Sequence, residues 1–497
     1  MSLHAQLSQE AQSRLDSMKR NSTISSIIIA FLAVILVGLL LTFILIDPIF
    51  KDTEAIMAYK KPEQPVEKIT AQKVNTSTTQ KPSAPSMASA RVLVSLSASN
   101  LSIPVPEADV PLPSNDYGNG DDFGQGGLGD GTDDNGSPGS FVGITTSVSK
   151  RCSKEDRIQR LAETGGNEQC EEAVLKSLRW MKSTQAADGS WGGANKTAMT
   201  GLGLLAYLGH CETPISEEFG ESCLKAITFL INHGMKNNGM LADNPAAHSG
   251  CYEHAIAAYA LAESTTFCKQ LKLKIPNLEE VTQKAGQIII DRQHKNGGWA
   301  YEYSEADNAH TDVSIVGWQL QALKAMKLTG LDFKNLPRCA SKGLEFFDDK
   351  QAEDGGYGYT NANPVGAAGF HTLTGVGVLC LQIWGKESTA GVRNGAKCIG
   401  KTFKLDWNTK DSDLYAHYYA AQAMMNRGGN EWKKYNDLMR DEVLKNQNAD
   451  GTWKDIGNGA GVGGALRGNG QAQFYRNCLA TLMLEVYYRF LPSSGGR

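Results

Sequence analysis

The sequence lacks the clustered positive charge of a nucleic-acid-binding protein. Its 49 Lys and Arg residues are balanced by 53 Asp and Glu residues, which gives a formal net charge of −4, and no basic stripe is present. Binding to a phosphate backbone requires such a stripe, so we expect no nucleic acid as a partner. Strand-like alternation of apolar and polar residues is also nearly absent, and this predicts an all-α fold.

Tryptophan is absent from the first 165 residues, which contain only one of the ten cysteines. The same region holds most of the Ser, Thr, Pro and Asp-Gly sequences of the chain. A segment of this composition buries too little apolar surface to offset its conformational entropy. We therefore predict a disordered Pro/Gly/Asp-rich linker over residues 47–150 and a folded domain over residues 151–497.

Charged residues are absent from residues 24–46, ISSIIIAFLAVILVGLLLTFILI. As a helix this segment would be ~34 Å long, enough to cross a hydrocarbon core of ~30 Å. A cleaved signal peptide is the alternative, but its apolar region would be only about 7–15 residues long. We predict an uncleaved, single transmembrane helix in the inner membrane at 24–46, after a short cytoplasmic tail at 1–23. Lys19 and Arg20 border the span and favour a periplasmic folded domain.

The ten cysteines include no Cys-x-x-Cys pair. An even number of cysteines in a non-cytosolic domain permits disulfides, and buried thiols in a cytosolic domain are the alternative. His248, Cys251 and His254 are spaced three apart and would share one face of a helix, but Pro245 and Gly250 indicate a loop there. We therefore predict no metal site and no cofactor.

One short pattern recurs four times in the folded domain. A helical segment ends in Gln, a Gly follows four residues later, and an aromatic residue follows six residues later. The copies are Gln185, Gly189 and Trp191; Gln293, Gly297 and Trp299; Gln351, Gly355 and Tyr357; and Gln447, Gly451 and Trp453. Weaker copies end at Met240 and Trp407, so the repeats are 46 to 59 residues apart and have room for two helices each. We interpret the four glutamines as structural, because their amides can both donate to and accept from the loop that ends a helix.

Helical periodicity predicts six pairs of helices. The outer helices are predicted at about 170–184, 220–233, 278–293, 337–350, 391–403 and 431–446. The inner helices are predicted at about 197–209, 250–264, 312–327, 370–384, 411–426 and 472–489. The inner segments are rich in small and apolar residues on all sides, as is typical of helices that are buried on both faces.

The recurring pattern resembles the QW motif of the prenyltransferase and squalene-oxidase repeat proteins, which include squalene-hopene cyclases, oxidosqualene cyclases and protein prenyltransferase β-subunits. The resemblance covers about residues 165–490 and implies an (α/α)6 toroid, in which an outer and an inner ring of helices surround a cavity. A closer resemblance is to the single-toroid, membrane-tethered squalene cyclase C-terminal domain proteins of planctomycete and verrucomicrobial bacteria. It is carried by CYEHAIAAYALAE (251–263), DVSIVGWQLQALKAM (312–326), LYAHYYAAQAMMNRGG (414–429) and CLATLMLEVYYRFLP (478–492).

The active-site signatures of that superfamily are missing from this chain. The cyclases use an Asp-rich DxDD or DCTAE segment, and the nearest string here, DSDL at 411–414, lacks the last acid. Protein prenyltransferases bind zinc through an Asp-x-Cys pair, which does not occur. Catalysis is therefore left open, with Asp312, Asp413, Glu253 and His254 as the candidate acids.

The resemblance implies that the inner helices are parallel, so that their N-termini meet at one end of the cavity, which we call the mouth. Each N-terminus has a partial charge of about +0.5 and free N–H groups, which favour anions and oxygen-rich ligands. The candidate ligand-binding residues are His254, His310, Asp312, Trp318, His371, Tyr415, His417, Tyr475 and Arg476. The alternative interpretation is that polar residues at these helix starts are N-caps and that the histidines support loops.

Three functions fit these patterns. The first is a membrane-tethered toroid outside the cytoplasm that binds an isoprenoid, lipid or protein at its mouth without covalent chemistry. The second is a terpenoid-cyclase-like or prenyl-processing enzyme acting on a polyisoprenoid. Its cavity would be lined by Trp318, Tyr259, Tyr415, Tyr418 and Tyr475, which can stabilise a carbocation. The third is a structural component of the cell envelope.

Overall fold

The computed structural model describes residues 55–56 and 152–489, with gaps at 305, 307, 364–371, 410 and 458–465. The predicted tail (1–23), transmembrane helix (24–46) and linker (47–150) lie outside the described residues, apart from the two-residue strand β1 at Ala55–Ile56. None of the helices in the described residues is both long and apolar enough to span a bilayer.

The described part of the folded domain is almost entirely helical. Helix α1 (Lys154–Thr164) comes first, at a place where the sequence predicts no helix. The outer helices are α2 (Glu168–Thr184), α4 (Gly220–Lys236), α6 (Leu278–Asp291), α8 (Leu336–Glu345), α10 (Ala390–Thr402) and α12 (Gly429–Lys445). The inner helices are α3 (Lys196–Gly209), α5 (Gly250–Gln270), α7 (Val313–Leu328), α9 (Thr374–Ile383), α11 (Leu414–Arg427) and α13 (Gln471–Leu484). A short strand β2 lies at Leu273–Lys274, and helix α14 (Val486–Arg489) ends the described chain. The six predicted helix pairs are thus confirmed.

The six inner helices form a closed ring. Each packs against the inner helices before and after it in the chain, and α13 packs against α3. Thr197 Oγ1 of α3 donates to Glu253 Oε2 of α5 at 3.1 Å, and the hydroxyls of Tyr252 in α5 and Ser314 in α7 lie 2.7 Å apart. These contacts join helix starts to helix starts, so the inner helices are parallel and their N-termini share the mouth. The α/α toroid is therefore the fold of the described domain.

The four loop glutamines each join two consecutive outer helices. Gln293 Nε2 donates to Gly297 O in its own loop and to Cys339 O in the first turn of α8, both at 2.8 Å. The other three make the same pair of bonds: Gln185 to Gly189 and Ser222, Gln351 to Gly355 and Gly391, and Gln447 to Gly451 and Ala173. Because Ala173 belongs to α2, the last of these bonds connects the final outer helix to the first and closes the outer ring.

The aromatic residues of the same loops are buried between the two rings. Trp299 Nε1 donates to Ile289 O at 2.7 Å, and Trp191 and Trp453 donate in the same way to Met181 O and Val443 O. Each acceptor lies in the last turns of the preceding outer helix, where carbonyls have no partner within the helix. The indoles thus complete the hydrogen bonding of the helix ends while they bury apolar surface, which contributes roughly 1.5–3 kcal/mol for each large side chain.

The end of the inner ring opposite the mouth is filled by α14. Arg489 donates through one terminal nitrogen to Tyr259 Oη at 3.2 Å and to Glu263 Oε1 at 2.8 Å, and through the other to Leu205 O at 3.3 Å. Its partners belong to α3 and α5, so the guanidinium lies across the C-terminal ends of the inner helices. This end of the inner ring is therefore closed by the chain's own residues.

One disulfide ties the start of the described domain to this closed end. Cys152 is bonded to Cys211, which follows the C-terminus of α3, with 5.0 Å between the Cα atoms. The other eight cysteines are buried thiols. Helix α1 packs against α14, so the first and last helices of the described domain are neighbours.

We expect Gly451→Ala to destabilise the protein more than Gly468→Ala. The two glycines have nearly the same backbone angle, with φ of 91° and 93°. A Cβ on Gly451 would lie 2.3 Å from Lys176 O of α2, whereas no described atom lies within 4 Å of a Cβ on Gly468. An alanine with a positive φ destabilises the folded state by about 1–2 kcal/mol, and this cost applies to both variants. The clash with Lys176 O adds roughly 1–3 kcal/mol for Gly451→Ala alone.

The measurement is urea unfolding of the purified full-length variants, followed by far-UV circular dichroism. Equal losses in the free energy of unfolding for the two variants would mean that the contact between the last loop and α2 does not limit the stability of the ring.

Candidate functional site

The mouth contains a group of polar and aromatic side chains around Asp312. We call it the mouth cluster and define it as Tyr252, Tyr301, His310, Asp312, Ser314 and Tyr359. Its members come from the starts of α5 and α7 and from the loops that follow α6 and α8. Two of them, Tyr301 and Tyr359, lie two residues after the aromatic positions Trp299 and Tyr357 of the repeat. The repeat loops therefore deliver equivalent side chains of neighbouring units to one place.

Asp312 is the N-cap of α7 and is fully buried. Its Oδ1 accepts from the backbone N–H groups of Ser314 at 2.9 Å and Ile315 at 3.1 Å. Its Oδ2 lies 3.2 Å from His310 Nε2. One oxygen of the carboxylate is thus committed to the helix, whose N-terminus stabilises the negative charge, while the other faces the cluster.

Two tyrosine hydroxyls of the cluster meet at the mouth. Tyr301 Oη and Tyr359 Oη are hydrogen bonded to each other, and Tyr252 Oη lies 3.4 Å from Tyr301 Oη. Burial, together with the nearby charge of Asp312, raises the pKa of Tyr301 to about 12. Burial, the hydrogen bond with Tyr301 and the charge of Asp312 raise the pKa of Tyr359. Both hydroxyls are therefore protonated at neutral pH and can donate as well as accept.

The histidines of the mouth lie against tyrosine rings. The ring of Tyr301 is stacked on His248, with 3.7 Å between centroids, and on His310, with 5.2 Å between centroids. The side chain of His310 is 46% exposed and that of Asp312 is fully buried. A buried carboxylate therefore contacts an imidazole that solvent or a ligand can reach.

Tyr415, the second residue of α11, has a hydroxyl that lacks a partner. The residue is only 3% exposed, and its Oη makes no hydrogen bond of good geometry with the residues that the structure describes, although the side chains of Tyr419 and Trp318 lie close to it. Burial raises its pKa well above the usual value, although Tyr419 and Trp318 act in the opposite direction, so the hydroxyl is neutral. A buried hydroxyl without a partner destabilises a protein by about 1–3 kcal/mol, unless a ligand or water completes it.

The aromatic residues that the sequence proposes as the lining of a cavity do not lie together at one place in the ring. Trp318 is stacked on Tyr418 with 5.6 Å between centroids and contacts Tyr419 edge to face at 5.7 Å. Tyr259, by contrast, is bound by Arg489 at the closed end. Trp318 and Tyr418 are buried, so these two rings pack against other side chains of the inner helices.

Three candidate residues support loops rather than face the mouth. Glu253 accepts from Ser249 Oγ and from the backbone N–H of Asp243, in addition to Thr197. His254 accepts from Leu241 N at 2.9 Å and donates to Ala285 O at 3.0 Å. His417 lies 2.8 Å from Tyr435 Oη and 3.0 Å from Lys404 O. Both ring nitrogens of each histidine are engaged by the outer layer, which favours the loop-support interpretation.

Asp413 and Arg476 are also held by the chain itself. Asp413 accepts from Ala416 N at 3.1 Å and from Thr372 Oγ1 at 3.0 Å, and burial raises its pKa. Arg476 donates to Leu466 O at 2.6 Å and to Asp455 Oδ1 at 3.2 Å. The guanidinium therefore fixes the last loop instead of presenting its charge at the mouth. His371 lies outside the described residues.

No three side chains among His, Cys, Asp and Glu come together to hold a metal within the described part of the chain. In particular, His248, Cys251 and His254 do not converge. Helix α5 begins at Gly250, so His248 precedes it and stacks on Tyr301, while His254 faces the outer layer.

Known proteins add little to this picture. The chain matches no protein-family model, and no curated protein matches it either.

Three solved structures resemble it. A type II terpene cyclase from Scytonema has 12% identity and a TM-score of 0.43, with 65% of this chain and 97% of that chain covered. A GH76A α-1,6-mannanase from Salegentibacter has 10% identity and a TM-score of 0.47, with 64% and 98% covered. A cellobiose 2-epimerase from Bacillus thermoamylovorans has 11% identity and a TM-score of 0.40, with 59% and 88% covered. Likenesses of this size carry no activity over to this chain, whose ring is defined by its own contacts.

We expect the protein to lose stability between pH 6.5 and pH 4. Burial lowers the pKa of both His254 and His417 from 6.5 to about 4. In this window the unfolded chain binds protons that the folded chain does not, so the free energy of unfolding falls as the pH is lowered. The loss approaches roughly 3 kcal/mol for each histidine.

Urea unfolding of the full-length protein at a series of pH values measures this loss. The double variant His254→Gln, His417→Gln removes both imidazoles and should show a shallower decline between pH 6.5 and pH 4. If the decline were unchanged in the double variant, the acid sensitivity would have to come from other groups.

Proposed function

We propose that this protein is a membrane-tethered α/α toroid that binds an uncharged, hydroxyl-rich ligand at the mouth of its inner ring, outside the cytoplasm, without covalent chemistry. The observation that carries this proposal is the buried hydroxyl of Tyr415 at the mouth, which makes no hydrogen bond of good geometry with the described residues. A ligand hydroxyl at this place would complete its hydrogen bonding.

The chemistry of the mouth favours a ligand with many hydroxyl groups. Tyr252 and Ser314 pair their hydroxyls next to those of Tyr301 and Tyr359, and His310 adds a reachable imidazole. The tyrosine and serine hydroxyls form neutral hydrogen bonds, and the tyrosine rings offer apolar surface beside them. Sugars combine hydroxyls with an apolar face and fit this surface.

The charges around the mouth disfavour an anion. Asp312 and Asp413 already occupy the N-termini of α7 and α11, so the positive ends of these two helices are neutralised by the chain's own carboxylates. Arg476 is engaged by Leu466 and Asp455. The expectation of an anion at the helix N-termini therefore gives way to one of an uncharged ligand.

The placement outside the cytoplasm is part of the same proposal. The disulfide between Cys152 and Cys211 supports it, because such bonds persist mainly in oxidising compartments. Residues 24–46 would supply the membrane anchor, and the linker at 47–150 would let the domain reach ligands at a distance from the bilayer.

The test is native mass spectrometry of the full-length protein extracted from its own membranes. We expect a bound hydroxyl-rich molecule, such as an oligosaccharide or the head group of a glycolipid, on the wild type. Tyr415→Phe removes one oxygen atom and should lower the bound fraction at least severalfold, because its hydroxyl is expected to contact the ligand.

Tyr435→Phe is the matched control. Tyr435 is also a buried tyrosine, but it belongs to the outer helix α12, and its hydroxyl contacts His417 away from the mouth. The control should keep the ligand. A wild-type protein that carries no small molecule would contradict the proposal and favour a structural role in the envelope, and equal loss from both variants would contradict the placement at the mouth.

A terpenoid-cyclase-like or prenyl-processing enzyme is the second candidate. The raised pKa of buried Asp413 favours it, because a carboxyl group that keeps its proton can act as an acid. The two hydrogen bonds that Asp413 accepts from Ala416 and Thr372 count against it. A hydrocarbon-rich isoprenoid bound to the extracted protein would favour this candidate over the first.

A further inference from the structure

A cleft opens in the outer layer of the toroid, where α8 ends and α10 begins. Its volume is about 450 Å³, and small-molecule sites usually have about 300–1,000 Å³. The lining comes from the last turns of α8, the loop that follows it, α9, the loop between α9 and α10, and the start of α10. The cleft shares no residue with the mouth cluster and does not include Tyr415.

Two departures from the repeat leave this space open. The carbonyls that accept from the four loop glutamines belong to Ser222, Cys339, Ala173 and Gly391. Of these residues only Gly391 has no Cβ. The aromatic residue of the same unit is Tyr357, where the other three units have a tryptophan. This unit therefore has fewer side-chain atoms at these two places than the other three.

Two oxygen atoms that border the space have no hydrogen-bond partner among the described residues. Tyr357 is only 2% exposed and lines the cleft, but its hydroxyl bonds to none of them. Gln351 uses its Nε2 for the carbonyls of Gly355 and Gly391, and its Oε1 is left over. A Cβ on Gly391 would lie 2.8 Å from Tyr357 Oη and 3.7 Å from Gln351 Oε1, so both oxygens face one place. A ligand there would complete their hydrogen bonding.

The chain holds these two oxygens in position. Gln351 and Tyr357 form an antiparallel bridge, and residues paired in this way have neighbouring side chains. Gln351 Nε2 is fixed by two bonds of 2.9 Å, to Gly355 O and to Gly391 O. The ring of Tyr357 packs edge to face on Phe347, with 5.8 Å between centroids. The site is thus built before any ligand binds, which lowers the entropic cost of binding.

The polar groups of the cleft favour a ligand that donates hydrogen bonds. Gln351 Oε1 and the carboxylates of Glu345 and Asp348 can only accept. Burial raises the pKa of Tyr357, and the charge of Asp348 acts in the same direction, so its hydroxyl is neutral and can accept as well as donate. Lys386 is the one cation in the described lining, and the two carboxylates outweigh it by one negative charge.

The helix ends at the cleft do not alter this sign. The partial negative charge at the end of α8 and the partial positive charge at the start of α10 oppose each other. The start of α10 is also capped by Thr389, whose side chain accepts from Val392 N. The side chains therefore determine the charge that a ligand meets.

We propose that this cleft binds a small primary amine with an apolar tail. Its ammonium group, which is charged at neutral pH and has three donors, would contact Tyr357 Oη and Gln351 Oε1. Glu345 and Asp348 balance the charge, and the tail packs on the apolar part of the lining, which is formed by Leu344, Phe347 and Leu381. This inference goes beyond the proposed function, because it concerns another part of the toroid and does not require a ligand at Tyr415.

The experiment is isothermal titration calorimetry of the purified full-length protein in phosphate buffer, because Tris is itself a primary amine. The probe is phenethylamine, and 3-phenylpropionate is an anion of similar shape. We expect one phenethylamine to bind per chain, at least tenfold more tightly than 3-phenylpropionate. Nα-acetyllysine methylamide presents the same ammonium group as a protein side chain would, and it should bind more weakly than phenethylamine, because its peptide groups do not suit the apolar lining.

Gly391→Ala tests the space itself. The new methyl group would point between Tyr357 Oη and Gln351 Oε1, and we expect the affinity for phenethylamine to fall at least tenfold. Gly400→Ala is the matched control, because it makes the same change in the same helix, and no described atom lies within 4 Å of its Cβ. Neither glycine has a positive φ, so neither alanine strains the backbone. The control should bind as the wild type does.

Glu345→Gln tests the charge without changing the packing, because Glu345 is exposed. The affinity for phenethylamine should fall severalfold, and the affinity for 3-phenylpropionate should not fall. Glu353→Gln is the control, since Glu353 is an exposed acid of the same unit that does not line the cleft. It should leave both affinities unchanged.

A wild-type protein that does not bind phenethylamine would overturn the proposal, and so would equal affinities for phenethylamine and 3-phenylpropionate. An unchanged affinity in Gly391→Ala would overturn the placement in this cleft. Tighter binding of Nα-acetyllysine methylamide than of phenethylamine would overturn the assignment to a free amine. Tyr415→Phe should bind phenethylamine as the wild type does, so a failure of this inference is distinguishable from a failure of the proposed ligand site.

Discussion

The bond that the rest of the structure depends on is the one from a loop glutamine to the next outer helix. Each of the four amides spans two carbonyls, one in its own loop and one at the start of the following outer helix, as Gln293 does with Gly297 and Cys339. The glycine in the loop permits this approach, because a Cβ at Gly297 would lie 2.2 Å from Lys342 O. The spacing of four of the six pairs of neighbouring outer helices is thereby fixed by hydrogen bonds as well as by packing.

The same loops determine what is found at the mouth. After the buried aromatic residue, the chain continues for two residues and places Tyr301 in one unit and Tyr359 in the next. Their hydroxyls meet because the units are adjacent in the ring, and Asp312 at the start of α7 lies beside them. The elements that hold the ring together therefore also build the site, so a change in the loop geometry would alter both.

The sequence predicted the helices well, because the Gln, Gly and aromatic positions recur at fixed spacing and mark the ends of four outer helices, while the ring was implied by the resemblance to the QW-repeat proteins. It did not identify Tyr301 and Tyr359 as site residues, although their common position two residues after Trp299 and Tyr357 was visible. Nor could it tell that His254 and His417 face outward. Inner helices are apolar on every side, so their periodicity does not show which face is directed at the cavity.

The bond from Gln447 to Ala173 joins residues 274 positions apart and makes the described domain a ring without free ends. In a solenoid each repeat contacts only its neighbours, so a terminal repeat can be lost while the rest stays folded. Here the first and last repeats are neighbours, and neither is terminal in space. Early shortened products of synthesis therefore leave the first repeat without one of its two neighbours, and the complete set of repeats has to be present before the first and last repeats are fully enclosed.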